Sequence, residues 1–282
     1  MKKLRSSIVL LLILIVVIET SGQSSGSSDP YFFVQVTDPQ FGMANGEADF
    51  AFETALMEKA VAAINRIKPD FVVFTGDLVN TKDNISQINE FKRIVALIDK
   101  KIPVWYLPGN HDIGAVPTLA DIDMFRSNYG HDRFSFSHKN SRFIGLNSSL
   151  IKSETGNMEE EQLNWLIKEL ASGVKSDHTV VFSHYPFFIK LPIEPETYSN
   201  IGLSKRKKYL DLFNEYGVDA VFAGHLHNNS TGSFAKFDMI TTSAVGKPLA
   251  DAPSGLRIIK VFSDRIESKY YGLDEIPEII TF

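Results

Sequence analysis

The sequence predicts an α/β protein, two β-sheets with helices packed outside them, and three observations carry that expectation. Short runs rich in β-branched and aromatic residues alternate with segments of helical periodicity through the first half. The last fifty or so residues turn strand-rich with no helix between, which calls for strands beyond one alternating sheet. No internal repeat and no second domain boundary interrupts the chain after its first thirty or so residues.

The elements follow in order. "YFFVQVTD" (Tyr31 to Asp38) reads as a strand, and Phe52 to Lys68 as a helix with Ala55, Leu56, Ala60, Ala63, Ile64 and Ile67 at helical spacing. "FVVFTGD" (Phe71 to Asp77) is the next strand. Ile85 to Lys100 is the next helix, with Ile88, Phe91, Ile94, Val95 and Ile98 on one face, and "VWYLPGN" (Val104 to Asn110) a third strand. These are βαβ units. "RFSFSHKNSRFIGLNSS" predicts a hairpin turning at Lys139 to Ser141, and Glu159 to Leu170 an amphipathic helix with acid at its N-terminus, where the dipole favours it. "HTVVFSH" (His178 to His184) and "DAVFAGH" (Asp219 to His225) are buried strands, with a helix from Ser204 to Tyr216 between them. From Ser233 to Tyr271, "FDMITTSA" and "GLRIIKVFSDRIESKYY" predict an antiparallel completion of the second sheet.

Composition narrows the function classes. Of 282 residues 44% are hydrophobic, ample for a large core, and the net charge of -5 argues against a nucleic-acid partner, which needs a surplus of Lys and Arg. The absence of cysteine removes disulfides, thiolate metal sites and cysteine nucleophiles, so any metal is held by His, Asp, Glu, Asn or Gln. Lys2, Lys3 and Arg5 precede an apolar run from Ile8 to Ile18 and the small, polar stretch "ETSGQSSGSSD". That pattern predicts a signal peptide over residues 1–22 and a Ser/Gly linker over 23–30, leaving a domain at 31–282 exported to the periplasm or the extracellular space. The apolar run is short of the ~20 residues a spanning helix needs, so no membrane span is expected once it is removed.

The chemistry lies at the strand ends. Five apolar runs finish in metal-binding residue types: Asp38, Asp77, Asn110, His184 and His225, the last within a His-x-His pair completed by His227. In α/β sheets the carboxyl ends of strands are where ligand sites form. A carboxylate at a strand end is more often a turn former, and a single His there is more often solvated; the recurrence at five separate ends is what points to a site.

"GDLVN" (Gly76 to Asn80), "GNHD" (Gly109 to Asp112) and "GHLH" (Gly224 to His227), with the Asp of "TDPQFG" and the later His184, resemble the motifs of the calcineurin-like metallophosphoesterases. "TTSAVG", "SGLRIIKV" and "YYGLDE" are similar to one branch, which includes a eukaryotic protein described as a Ser/Thr phosphatase, so the resemblance covers nearly everything after the N-terminal segment. It implies a two-sheet sandwich flanked by helices and a dinuclear site. By position, Asp77 would bridge two metals, Asp38 and His227 would serve the first, and Asn110, His184 and His225 the second. His111 would be the general acid, oriented by Asp112. The mixed imidazole and oxygen set suits Mn, Fe, Zn, Co or Ni above Mg or Ca. One position departs from the pattern: Gln40 stands where the first motif has histidine, and its carbonyl is a weaker donor, ligating the metal or a metal-bound water.

The expected activity is hydrolysis of phosphate esters, chiefly monoesters and including phosphorylated Ser or Thr, with two other readings beside it. One is a phosphodiesterase or nucleotidase outside the cytoplasm, since loops set specificity on a common metal core; the other is a non-catalytic module binding phosphorylated ligands. Lys205 to Lys208 read as a solvated helix face or an attractor of anionic substrate, and the loop from Tyr185 to Gly202 as a border of the cleft or simple surface. His131, His138 and His178 read as surface residues.

Overall fold

The structure is a computed structural model that describes residues 29–173, 176–249 and 251–282. The expected signal segment and most of the linker lie outside the described residues. In chain order the first half holds β1 (Tyr31–Val36), α1 (Ala51–Ile67), β2 (Val72–Thr75), α2 (Ile85–Val95), β3 (Val104–Leu107), α3 (Asn110–Ile113), α4 (Leu119–Tyr129), β4 (Phe134–His138) and β5 (Ser141–Gly145). Then come α5 (Ser148–Lys152), α6 (Asn157–Ser172), β6 (His178–Phe182), α7 (Leu203–Glu215), β7 (Ala220–Ala223), β8 (Ser230–Phe234), β9 (Phe237–Thr241), β10 (Gly255–Val261) and β11 (Ile266–Gly272).

β1 shows how the layers arise. Phe32, Val34 and Val36 join a core with α1 and α2, while Tyr31 and Phe33 join the core between the sheets. This is the period-two alternation of a strand covered on both faces. One sheet runs β11-β10-β1-β2-β3 and the other β4-β5-β6-β7-β9-β8. A third core lies under α6 and α7 on the outer face of the second sheet, giving four layers. The middle layer is aromatic: Phe33 stacks on Phe71 at 4.7 Å and meets Phe143, Phe182 and Phe222 edge-on. Truncating such a ring to alanine costs about 3–5 kcal/mol.

Three expectations need correcting. The second helix stops at Val95 instead of Lys100, because Leu97 and Ile98 bond back three residues, to Ile94 and Val95, tightening the chain into turns that still bury Ile98. β10 and β11 do not complete the second sheet: β10 pairs antiparallel with β1, covering the free edge of a strand buried on both faces. The second sheet is completed by β9, parallel to β7, and by β8. His178 is buried in β6, its Nε2 lying 2.8 Å from the Phe262 carbonyl on the opposite sheet, so it is no surface residue. His131 is exposed, and His138 is half-buried against Asp70 at 2.8 Å. No helix among the described residues is long and apolar enough to cross a membrane.

Candidate metal centre

The parallel strands all end at one pole, and the loops there turn abruptly. Asp38, Gln40, Asp77, His225 and His227 each have a positive φ, between 37° and 71°. Non-glycine residues held in that left-handed region cost roughly 1–3 kcal/mol each, and such strain persists only where the surroundings impose it. The first two loops impose it on each other: Asp38 N donates to Gly76 O and Gln40 N to Asp77 O, while Phe41 and Val79 form a bridge beyond them. Gly224 is required by crowding, since a Cβ there would overlap the Thr37 hydroxyl and press on Asp38 Oδ2.

The result is two buried groups of donor atoms, Asp77 with His184 and His225, and Asp77 with Asp38 and His227, each group's atoms lying within 4.8 Å of one another. Each could hold a metal ion, and Asp77 belongs to both. His184 Nδ1 lies 2.9 Å from Thr75 O and His227 Nδ1 2.6 Å from Lys247 O, carbonyls that can only accept. Each ring therefore spends its Nδ1 hydrogen there and turns the Nε2 lone pair inward. His184 Nε2 sits 3.2 Å from Asp77 Oδ2, from Asn110 Oδ1 and from His225 Nδ1. Lone pairs converging at that spacing fit a central cation with bonds of about 2 Å. On the other side His227 Nε2 is 3.3 Å from Asp38 Oδ1, and the buried Asp38 Oδ1 and Gln40 Oε1 have no hydrogen-bond partner. A buried oxygen without a donor is costly unless a cation or its water meets it.

Electrostatics agree with that reading. Burial works to raise Asp77, but His184, His111 and His225 outweigh it and hold the carboxyl below its usual range. Burial works to lower His184, yet the charges of Asp77 and Asp38 push it up to about 9. His225 is pushed down to about 3 by burial and then by His184. The pocket attracts one positive charge strongly and rejects a second proton, which suits an ion with neutral imidazoles around it.

His111 is half-buried in α3, its backbone N–H donating to Asp77 Oδ1 at 2.8 Å. Its Nδ1 lies 2.8 Å from Asn80 O, leaving Nε2 for a substrate. Asp112 therefore does not orient His111, contrary to expectation. Its Oδ1 accepts from Leu78 N and Val79 N, and its Oδ2 from Gly109 N. Burial, then the Asp77 charge, push this carboxyl up to about 8. Asp112 is a loop fastener beneath the site, and the orienting atom is a backbone carbonyl that no sequence motif displays.

Asn80, the last residue of the "GDLVN" motif, has a role that the motif does not display: its Oδ1 accepts from Gln40 Nε2 at 2.9 Å and so fixes which way the Gln40 carbonyl turns. Thr37, whose hydroxyl donates to Asp38 Oδ2 at 2.6 Å, is a second residue missed. The basic run divides: Lys207 and Lys208 form the expected solvated helix face, whereas Lys205 and Arg206 do not. Arg206 is 1% exposed and donates to the carbonyls of Ile201, Pro192 and Glu194, while Lys205 binds Glu159 and Ser153 O. Arg206 thereby braces the loop from Tyr185 to Gly202, and that loop does border the site: Asn110 Nδ2 donates to Tyr198 Oη at 3.2 Å.

Comparison with known proteins agrees with this geometry. The calcineurin-like phosphoesterase family matches residues 33–229. The chain is 37% identical over 268 residues to the serine/threonine-protein phosphatase CPPED1 of Bos taurus, covering 88% of this chain and 86% of that protein. It is 30% identical over 226 residues to the probable glycerophosphodiester phosphodiesterase GpdQ of Arcobacter nitrofigilis, covering 77% and 79%. Among solved structures, a dimetal phosphatase from Danio rerio shares the fold with a TM-score of 0.63 at 18% identity, covering 87% of this chain and 97% of that one. The chain belongs to the calcineurin-like phosphoesterase family and is a metallophosphoesterase.

Proposed function

We propose that this protein hydrolyses phosphomonoesters, phosphorylated Ser or Thr side chains among them, at a centre of two metal ions. The observation that carries the reading is the sharing of Asp77 between two buried donor groups, since one carboxylate oxygen can serve each ion. Asp38, His227 and Gln40 would hold the first ion, Asn110, His184 and His225 the second. The donor set favours transition metals, Mn, Fe, Co, Ni or Zn. Bound there, two such ions would supply Lewis acidity, activating water near neutral pH and neutralising phosphoryl charge.

The chain's own residues do the rest. His111, with Nδ1 spent on Asn80 O, presents Nε2 to protonate the leaving oxygen. Asp112 holds the loop that carries it through Leu78, Val79 and Gly109. The monoester reading rests on the CPPED1 relatives; the GpdQ relative supports a diesterase as the second reading. The basic and apolar N-terminal stretch supports export of the domain.

The test uses protein lacking residues 1–23, stripped with chelator and titrated with Mn, Zn, Fe and Mg. Turnover of p-nitrophenyl phosphate should return with transition metal, exceed that of the bis-nitrophenyl diester, and vanish in Asp77→Asn. Preferential hydrolysis of the diester would move the assignment to the second reading, and metal binding without turnover of either would leave a binding module.

A further inference from the structure

Tyr198 presents a puzzle of investment. The residue is 63% exposed, yet the loop around it is braced by several buried or part-buried hydrogen bonds. Lys152 donates to the carbonyls of Thr197 and Asn200, at 2.6 and 2.7 Å. Asn200 Oδ1 accepts from Thr197 N, and the Glu194 carboxylate accepts from the backbone of Ile189, Lys190 and Leu191 and from the Asn200 amide. The buried Arg206 ties off three carbonyls. Fixing a surface loop costs about 1–2 kcal/mol per residue in backbone entropy, and burying charged side chains to do so costs more. A solvated tyrosine with no task needs none of it.

The bracing puts the phenol at one place. The ring lies 5.0 Å from the His225 imidazole, and its oxygen accepts from Asn110 Nδ2 at 3.2 Å. Asn110 Oδ1 lies toward His184 Nε2, so its amide N–H is directed away from the donor cluster and toward the phenol. The tyrosine oxygen is thus used as an acceptor, from Asn110 Nδ2 and from the neighbouring Tyr185 hydroxyl, and neither of these contacts spends its own hydrogen. A preorganised O–H with its hydrogen unspent, beside a candidate ligand and open to solvent on its other side, is a donor awaiting an oxygen.

We propose that Tyr198 is a substrate-binding residue that donates its phenolic hydrogen to a non-bridging oxygen of the phosphoryl group, and that the loop from Ile189 to Ile201 is braced to hold it there. The inference deepens the phosphoesterase reading above and rests on it. The exposed ring then forms one wall for whatever lies beyond the phosphate, leaving the opposite side open to a bulky alcohol such as a peptide side chain.

Inorganic phosphate binding to the metal-loaded protein, by calorimetry, is the direct readout, with metal content measured on the same samples. Tyr198→Phe keeps the ring and its packing on His225. It should keep two metals per chain, weaken phosphate about tenfold or more, as loss of a hydrogen bond to a charged group does, and lower kcat/KM on p-nitrophenyl phosphate similarly. Lys152→Met, which loosens the loop without touching the site, should shift both in the same direction by less. Unchanged phosphate affinity in Tyr198→Phe would overturn the proposal. So would a loss of affinity that tracks loss of metal, which would make Tyr198 a support for Asn110 alone. A wild-type protein that binds metal but neither binds nor hydrolyses phosphate compounds would overturn the phosphoesterase reading itself, a distinct result.

Discussion

His111 shows how much of a residue's work is decided by backbone it never meets in sequence. Its ring is set by the Asn80 carbonyl and its main chain by Asp77, from a loop some thirty positions earlier. If Nε2 is the general acid, His111→Ala should slow hydrolysis of alkyl phosphates about a hundredfold or more while p-nitrophenyl phosphate loses far less, because nitrophenolate needs little protonation. Parallel steady-state kinetics on the two substrates checks this, and equal losses would count against the assignment. Every candidate ligand was readable in the sequence because each sits in a short motif at a strand end. The partners that tune them were not: the carbonyls of Thr75, Asn80 and Lys247 carry no side-chain signal. Asp112 was misread for the same reason, its three backbone donors lying on two different loops. Gln40 is buried with its Oε1 unpartnered, and its orientation depends on Asn80, a contact forty residues apart.

At the scale of elements, the strands and long helices were where hydrophobic periodicity put them, and the failures have local causes. α2 ends early because its last apolar positions are buried through three-residue turns, which periodicity cannot distinguish from helix. α4 went unread although Thr118 and Asp121 cap it reciprocally, with Thr118 Oγ1 accepting from Asp121 N and the Asp121 carboxylate from Thr118 N. Its weak amphipathicity hid it. The sheet to which β10 belongs is a tertiary fact that an antiparallel pattern leaves open. His178 illustrates the price of that: it joins β6 to the turn after β10, across the two sheets. The Asp219 carboxylate, 3.5 Å from Nδ1, with some help from Phe262 O, raises its imidazole above the ordinary value although burial opposes it. With the folded value above the unfolded one, the stabilisation is complete below about pH 6.5 and fades as pH rises through the folded value. The urea midpoint of the wild type should therefore fall more steeply above pH 6.5 than that of His178→Gln, as chemical denaturation across a pH series would show.

On the scale of the whole molecule, the centre is a junction between layers. Asp38, Asp77 and Asn110 follow β1, β2 and β3 of one sheet, whereas His184, His225 and His227 follow β6 and β7 of the other. Ions held between them would bind the folded state alone, so metal at a hundredfold above its Kd should raise the melting temperature by roughly 5–10 °C for a domain of this size. Calorimetric scans with and without chelator test this, and Asp77→Asn should show little response. The two ends of the sandwich also differ in kind. The loops that carry the candidate ligands crowd one pole, while the hairpin turns between β4 and β5, β8 and β9, and β10 and β11 all lie at the other, where β1 begins at Tyr31. A tether joined ahead of Tyr31, be it an anchor or a fused carrier, thus grips the molecule by its base and leaves the mouth facing outward. What reaches the site is then governed by diffusion from open solution and not by the surface to which the protein is held.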